Sequence, residues 1–224
     1  PYRRQRQMCI RDRYISFSSL SKFFGPTLEV AEQILLQPLF PEDELRAYCE
    51  KRKQTLTIER RKVDTVVREI FAEALFGDKH PYGISYPEKD YDTLTRADLE
   101  SLYRRLYTAE NCLVVCSGRI GEEELQGIGA LAEKLPRADR SATADFPAPR
   151  SEAYRFVERP DAVQSSLRVG RLLFTRTHPD FVGMQVVATV LGGYFGSRLM
   201  QNLRGEHGYT YGVGAAMVNF EQAG

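Results

Sequence analysis

Histidine is scarce: the chain has three, His80, His178 and His207. No two lie within a helical turn or two of each other, so no HxxEH, HxxH or HxxxH zinc pair is encoded within these residues. His80 and His178 each precede a proline in what read as loops, and only a long-range three-histidine site stays open. The GxSxG nucleophile elbow is also missing. Its nearest approach, GYFGSRL, places Ser197 directly after Gly196 with no glycine two residues later, and Ser197 reads as a helix N-cap ahead of Arg198 and Leu199. GxGxxG and Walker patterns are absent. Gly212 and Gly214, inside a strand-like segment, point to close backbone approach rather than a phosphate loop. No run approaches the roughly 18 apolar residues of a membrane span.

Cysteine is sparse too. Cys112 and Cys116 form a CxxxC in CLVVC, but that segment is a β-branched apolar run whose residues 112 and 116 share one face of a strand. Free buried thiols are the plainer reading, with a disulfide or metal pair as the alternative. This leans weakly toward a reducing, cytoplasm-like compartment and otherwise leaves localisation unknown.

Charge of either sign is nearly balanced, at +1 over 224 residues. Yet PYRRQRQMCIRDR, residues 1–13, holds five arginines against Asp12, a local +4 that leaves −3 for the remainder. The remainder offers no nucleic-acid surface. The basic leader reads as non-native, since it has no apolar h-region and no helical pattern; a phosphate-binding arm or transit peptide is the alternative.

What is present is ordinary globular composition, 42% hydrophobic and 27% charged, enough for two small domains. PTLEVAEQILLQP carries Leu28, Ala31, Ile34 and Leu35 at helical spacing between prolines. A long stripe follows from Leu45 to Leu75, opened by Pro41 and three acids and closed at Gly77, as one helix or two joined near Thr57. Its clusters Lys51–Lys53 and Arg60–Lys62 alternate with Glu50 and Glu59, as a solvated face does. Thr95 with Asp98 forms a capping-box variant for a helix to about Tyr107. NCLVVCSG reads as a buried strand and GEEELQGIGALAEKL as a helix. Residues 136–151, PRADRSATADFPAPRS, have the composition of a linker. Beyond it, AYRFVERP and VQSSLRVGRLLF read as strands. DFVGMQVVATVLGG is a helix apolar nearly all round, SRLMQNLR another, and YTYGVGAAMV a strand.

Near the end lies LGGYFGSRLMQNLRGEHGYTYGV: a Gly-Gly pair, then SRL, then LR, and a tyrosine seven residues after that arginine. Upstream come FPEDEL before a long helix, ALFGDKHPYG, LYTAENCLVV with a glycine after it, Val163-Gln164, and HPDF before a helix. In content and order these resemble the insulinase and pitrilysin family of zinc metallopeptidases, which includes mitochondrial processing peptidase, over Tyr14 to Gly224. The resemblance implies an α+β fold of two homologous domains, each a mixed sheet covered by helices. It divides this chain into the later part of a first domain (14–135), the linker (136–151) and the earlier part of a second domain (152–224), both truncated here.

The resemblance also implies where chemistry lies. Family members bind catalytic zinc through HxxEH, which would fall upstream of Tyr14, and a distant glutamate on the long helix, itself preceded seven residues earlier by a second glutamate. The matching place, Gln54 to Thr57, offers no carboxylate, and the helix glutamates include no pair seven apart. Gln and Thr are poor zinc ligands, so neither a metal ligand nor a catalytic residue is assigned here. In two-subunit bacterial members, one chain carries zinc and its homologous partner supplies an arginine and a tyrosine that hold the substrate's main chain. The matching residues are Arg204 and Tyr211, whose donors suit peptide carbonyls of any side chain. An extended substrate could also add to an exposed sheet edge. The plain alternative is an arginine near a helix C-terminus and a core tyrosine. The expectation is therefore a substrate-binding, non-catalytic subunit with no cofactor of its own, paired with a zinc-bearing homologous subunit and acting on peptide substrate. The alternatives are a catalytic zinc endopeptidase with its HxxEH upstream and Glu50 or Glu59 recruited as the distant ligand, and a structural homologue like the core subunits of the respiratory cytochrome complex.

Overall fold

A computed structural model of the chain describes residues 15–138, 152 and 154–220. The basic leader at 1–13 and all but the first residues of the 136–151 linker lie outside them. The described residues fall into two compact units, one running to Leu167 and the other beginning at Arg168.

The first unit is a set of packed helices. Helix α1 (Phe24–Leu36) takes Pro26 in its first turn, where a missing N–H costs no bond, and buries Ala31. Helix α2 (Glu42–Glu59) starts after Pro41 with Glu42, Asp43 and Glu44 facing the positive end of its dipole. It buries Cys49 and Leu56, two turns apart on one face. The long apolar stripe is two helices, broken at Arg60–Lys62 rather than near Thr57, and α3 (Val63–Phe76) stops at Gly77 with φ 83°.

Helix α4 (Arg96–Leu106) begins with the capping box expected: Asp98 N–H donates to Thr95 Oγ1 at 3.2 Å, and Thr95 N–H donates to Asp98 Oδ2 at 2.9 Å. The Thr95 hydroxyl also donates to Asp98 Oδ2 at 2.6 Å, and this bond, with the one from Thr95 N–H, holds the Asp98 carboxyl below its ordinary value. Helix α5 (Glu122–Glu133) packs on α1. There Lys134 Nζ meets both carboxylate oxygens of Glu32 at 2.7 and 2.8 Å. Tyr103 on α4 donates its hydroxyl to the Leu35 carbonyl and sets its ring edge-on to Phe40 at 5.9 Å.

Members of the two basic clusters in and just after α2 are paired within the unit. Lys53 bridges Glu50 and Asp92 at 2.7 Å each, and Arg60 meets Glu69 at 3.2 Å. At so exposed a surface these pairs orient the charged face more than they stabilise it. Residues just beyond the linker pack here as well. Glu152 N–H donates to Ala74 O at 2.8 Å, and Arg155 reaches Glu73 at 3.3 Å.

The expected mixed sheet is not formed: among the described residues there is no strand, and the fold is helical rather than α+β. The reason is visible in NCLVVCSG. A strand is stable only against a neighbouring ladder, and from Cys112 to Cys116 the backbone makes a single turn-type bond, Cys112 N–H to Ala109 O at 3.2 Å. Leu113 is 87% exposed, and Cys112 and Cys116 are free and exposed, not buried as expected; Cys49 is the buried thiol. The strand patterns after Tyr154 and after Val163 likewise find no ladder partner among the described residues.

The second unit carries α6 (Phe181–Ala188), which continues into a π-helical turn, Thr189–Gly193. A tight turn at Tyr194–Gly196 leads to a second π-helical segment, Met200–Glu206. The side chains of α6 are not buried, although the sequence is apolar nearly all round.

His80 supplies a test of the first unit. It is 4% exposed, stacks on Phe76 at 5.0 Å and accepts the Tyr82 N–H on Nδ1 at 3.1 Å. Burial lowers its pKa from the ordinary histidine value. The unfolded chain therefore binds the proton more readily, and the stabilisation is complete above the unfolded pKa of about 6.5 and lost as pH falls through it. Thermal unfolding should show a midpoint that drops between pH 7.5 and 5.5, a window above the titration of Asp98. The drop should be smaller in His80→Asn, whose amide oxygen can replace Nδ1 as acceptor; an equal drop in both would refute the assignment.

Candidate functional site

Arg204 and Tyr211, seven residues apart, come together. The guanidinium carbon of Arg204 lies 4.6 Å from the Tyr211 ring centroid and 5.0 Å from that of Phe195, over the face of each ring. Tyr211 is 88% exposed, so it is not the core residue of the plain alternative. Arg204 is half-buried, in the last turn of the π-helical segment Met200–Glu206. Among the described residues it makes no hydrogen bond and no ion pair. A guanidinium carries five N–H donors in its plane, whereas aromatic rings engage its face. The donors therefore remain available to a ligand.

The local chain geometry explains the meeting. In a π-helix the backbone bonds run from i to i+5, which brings residues four and five apart onto one face. Met200, Gln201, Arg204 and Gly205 accordingly line a cleft of about 320 Å³ together with Phe195 and Gly196. The segment ends where His207 N–H reaches Asn202 O at 3.1 Å and Tyr209 N–H reaches Leu203 O at 2.9 Å. The chain then turns through Gly208 with φ 63° and runs back past Gly192.

That return depends on Gly192. Ala215 N–H donates to Gly192 O at 3.2 Å, and a Cβ on Gly192 would stand 2.3 Å from Ala215 N and 2.8 Å from Ala215 Cβ. The Gly-Gly pair of the sequence thus admits the backbone that carries Tyr211. Of the two later glycines, Gly214 approaches Gly192: a Cβ on Gly214 would stand 3.5 Å from the Gly192 carbonyl oxygen. A Cβ on Gly212 would meet nothing within 4 Å.

Other residues singled out by sequence are placed as follows. Glu206 accepts from Asn202 Nδ2 at 2.9 Å, and His207 stacks on Tyr209 at 5.0 Å; both belong to the exit turn. Ser197 sits where the helix begins and its carbonyl accepts Gln201 N–H at 2.9 Å. Its hydroxyl does not cap; it is fully buried with no partner among the described residues. Phe195, the third member of the cluster, was not picked out by sequence reasoning. Its signal was an aromatic side chain in the turn between the glycine pair and SRL, nine residues before the arginine.

The residues at 54–57 do not fit a zinc ion. Thr55 donates its hydroxyl to Lys51 O at 2.8 Å. Thr57 shares its proton between Lys53 O at 3.0 Å and Glu88 Oε1 at 2.8 Å. These hydroxyls serve the helix and its neighbouring turn, and residues 54–57 themselves offer no carboxylate; the nearby Glu88 accepts from Thr57. Among the described residues, no three His, Cys, Asp or Glu side chains gather as a metal-ligating set. No described helix is long and apolar enough to cross a membrane.

Residues 93–224 match the family model described as the peptidase M16 inactive domain. The chain is 29% identical over 170 residues to an uncharacterized zinc protease of Mycobacterium tuberculosis, covering 72% of this chain and 38% of that protein. It is 25% identical over 205 residues to an uncharacterized zinc protease of Rickettsia bellii, covering 88% and 48%. Among solved structures, it resembles the crystal structure of a peptidase M16 inactive domain from Pseudomonas fluorescens, with a TM-score of 0.73 and 21% identity over 91% of this chain and 50% of that one. That last likeness is one of fold. The chain spans less than half the length of these curated relatives.

Gly192→Ala should lower the unfolding midpoint, because forcing a methyl group into a filled space costs about 1–3 kcal/mol. It should also weaken any ligand contact made by Tyr211. Gly212→Ala, with open space around it, should leave the midpoint within about 1 °C. Equal behaviour of the two variants in a thermal melt would contradict the close-approach account.

Proposed function

The chain belongs to the peptidase M16 inactive-domain family, and we propose that it acts as the substrate-binding, non-catalytic partner of a zinc-bearing homologous subunit, holding peptides or unfolded polypeptides for cleavage. The observation that carries this reading is Arg204. It is a half-buried cation stacked on two rings, with no anion and no hydrogen-bond acceptor among the described residues, at the edge of an open cleft.

The chemistry is one of binding and orientation. Guanidinium N–H groups donate to main-chain carbonyl oxygens whatever side chain follows, and the phenol of Tyr211 can donate or accept beside them. Such contacts favour an extended substrate with little sequence preference. The proposal places zinc, and with it the activation of water, in the partner. This chain fixes the scissile segment, so its share of rate enhancement comes through positioning.

A second reading has one observation in its favour: the curated relatives bear the name zinc protease. In that reading the whole protein holds its own HxxEH outside these 224 residues and cleaves without a partner. Metal analysis and a cleavage assay on the full-length protein alone separate the two. Stoichiometric zinc with activity would establish the second reading and end the first.

For the leading reading, Arg204→Ala in the assembled complex should lower peptide cleavage about 10-fold or more, the scale of a lost charge-assisted hydrogen bond. Tyr211→Phe should lower it about 2- to 10-fold, as expected for a neutral one. Assembly, followed by size-exclusion chromatography, should be unchanged. Full cleavage by both variants would show that the chain is a scaffold.

A further inference from the structure

Phe195 has no role in the reading above, yet it lies under the same guanidinium as Tyr211, at 5.0 Å. It is 74% exposed, and burial therefore gives little reason for a large aromatic side chain at this position. Its backbone is held in a short, rigid turn. Ser197 N–H donates to Tyr194 O at 3.1 Å, and a Cβ on Gly196 would press on the Tyr194 ring at 2.9 Å. The turn is bounded by the π-helical segments Thr189–Gly193 and Met200–Glu206. Phe195 is thus presented from this turn against Arg204, and both residues line the cleft.

We infer that Phe195 is a positioning residue for Arg204: its ring holds the guanidinium in place through the face while leaving the in-plane N–H donors for peptide carbonyls. The inference rests on the substrate-binding role proposed for Arg204. An arginine side chain has several rotatable bonds, and ordering one on binding costs about 0.5–1.5 kcal/mol. A carboxylate would order it equally well but would occupy the donors that the substrate needs. Two aromatic rings order it without that competition. Tyr211 is one of them and has a hydroxyl to offer the substrate. Phe195 has none, which leaves its ring as the relevant feature.

The test uses the full-length protein and a fluorescein-labelled, end-capped, alanine-rich oligopeptide, whose only polar groups toward the site are main-chain amides. Phe195→Leu keeps apolar bulk and removes the π face; Phe195→Trp restores it. Phe195→Leu should weaken peptide binding about 2- to 5-fold, the range of an exposed cation–π contact, and Phe195→Trp should bind as the wild type does. In an Arg204→Ala background, Phe195→Leu should have no further effect, because the ring would act only through the arginine. Melting temperatures report whether either variant has lost its fold, and the Trp variant separates loss of the ring from damage to the turn. Unchanged affinity in Phe195→Leu, failure of Trp to rescue a folded protein, or a persisting loss without Arg204 would overturn the inference. If Arg204→Ala binds the peptide as tightly as wild type, the proposed function fails and this inference with it. If Arg204→Ala weakens binding and Phe195→Leu does not, the inference alone fails.

Discussion

The second unit turns on one close approach, the passage of Ala215 over Gly192. With Ala215 N–H bonded to Gly192 O at 3.2 Å and no room for a Cβ, the backbone downstream of the exit turn is tied to the end of the helix that precedes the site. Tyr211 lies four residues before that tie and Phe195 three residues after Gly192. Both rings therefore reach Arg204 from chain segments joined at a single point. The π-helical winding of Met200–Glu206 sets the third side by placing Met200 and Arg204 on one face.

The resulting electrostatics leave a cation whose in-plane donors are uncommitted among the described residues. Some arginines among the described residues meet carboxylates, as Arg60 does with Glu69, Arg96 with Glu100 and Arg155 with Glu152. Arg204 meets π faces instead. Each such contact is worth about 0.5–1 kcal/mol at an exposed site, enough to bias a flexible side chain and too little to bury it. In the proposed role, peptide carbonyls would meet the donors left over, each oxygen offering two lone pairs. The same segment explains why Glu206 and His207, the most conspicuous pair in the sequence, contribute so little. Glu206 is tied to Asn202 and His207 stacks on Tyr209, on the turn that leads away from the cleft.

Helices were legible in the sequence where local signals agreed. The Thr95–Asp98 capping box, the acids after Pro41 and the stop at Gly77 are each set by groups within one turn of the helix end, so no distant information was needed. The break at Arg60–Lys62 was misplaced because the apolar stripe continues across it. The sheet was the larger error. Alternating or β-branched runs such as CLVVC show that a segment would suit a strand, but a strand exists only with a ladder partner, and pairing is a non-local property. The Arg204–Tyr211 pair was suggested by family resemblance over their spacing of seven residues. Phe195 was missed because a ring under a cation depends on how a turn and a π-helical segment meet, which no short pattern specifies.

The central claim is that this site grips a peptide by its main chain, and it is tested most directly by weakening one carbonyl acceptor at a time. A set of end-capped oligopeptides, each with a single thioamide in place of an amide, can be titrated against the full-length protein and against Arg204→Ala. The account predicts that one substitution position weakens binding to the wild type well beyond its neighbours, and that this position loses its distinction in Arg204→Ala. A flat profile against the wild type, or a profile unchanged by removal of Arg204, would contradict it.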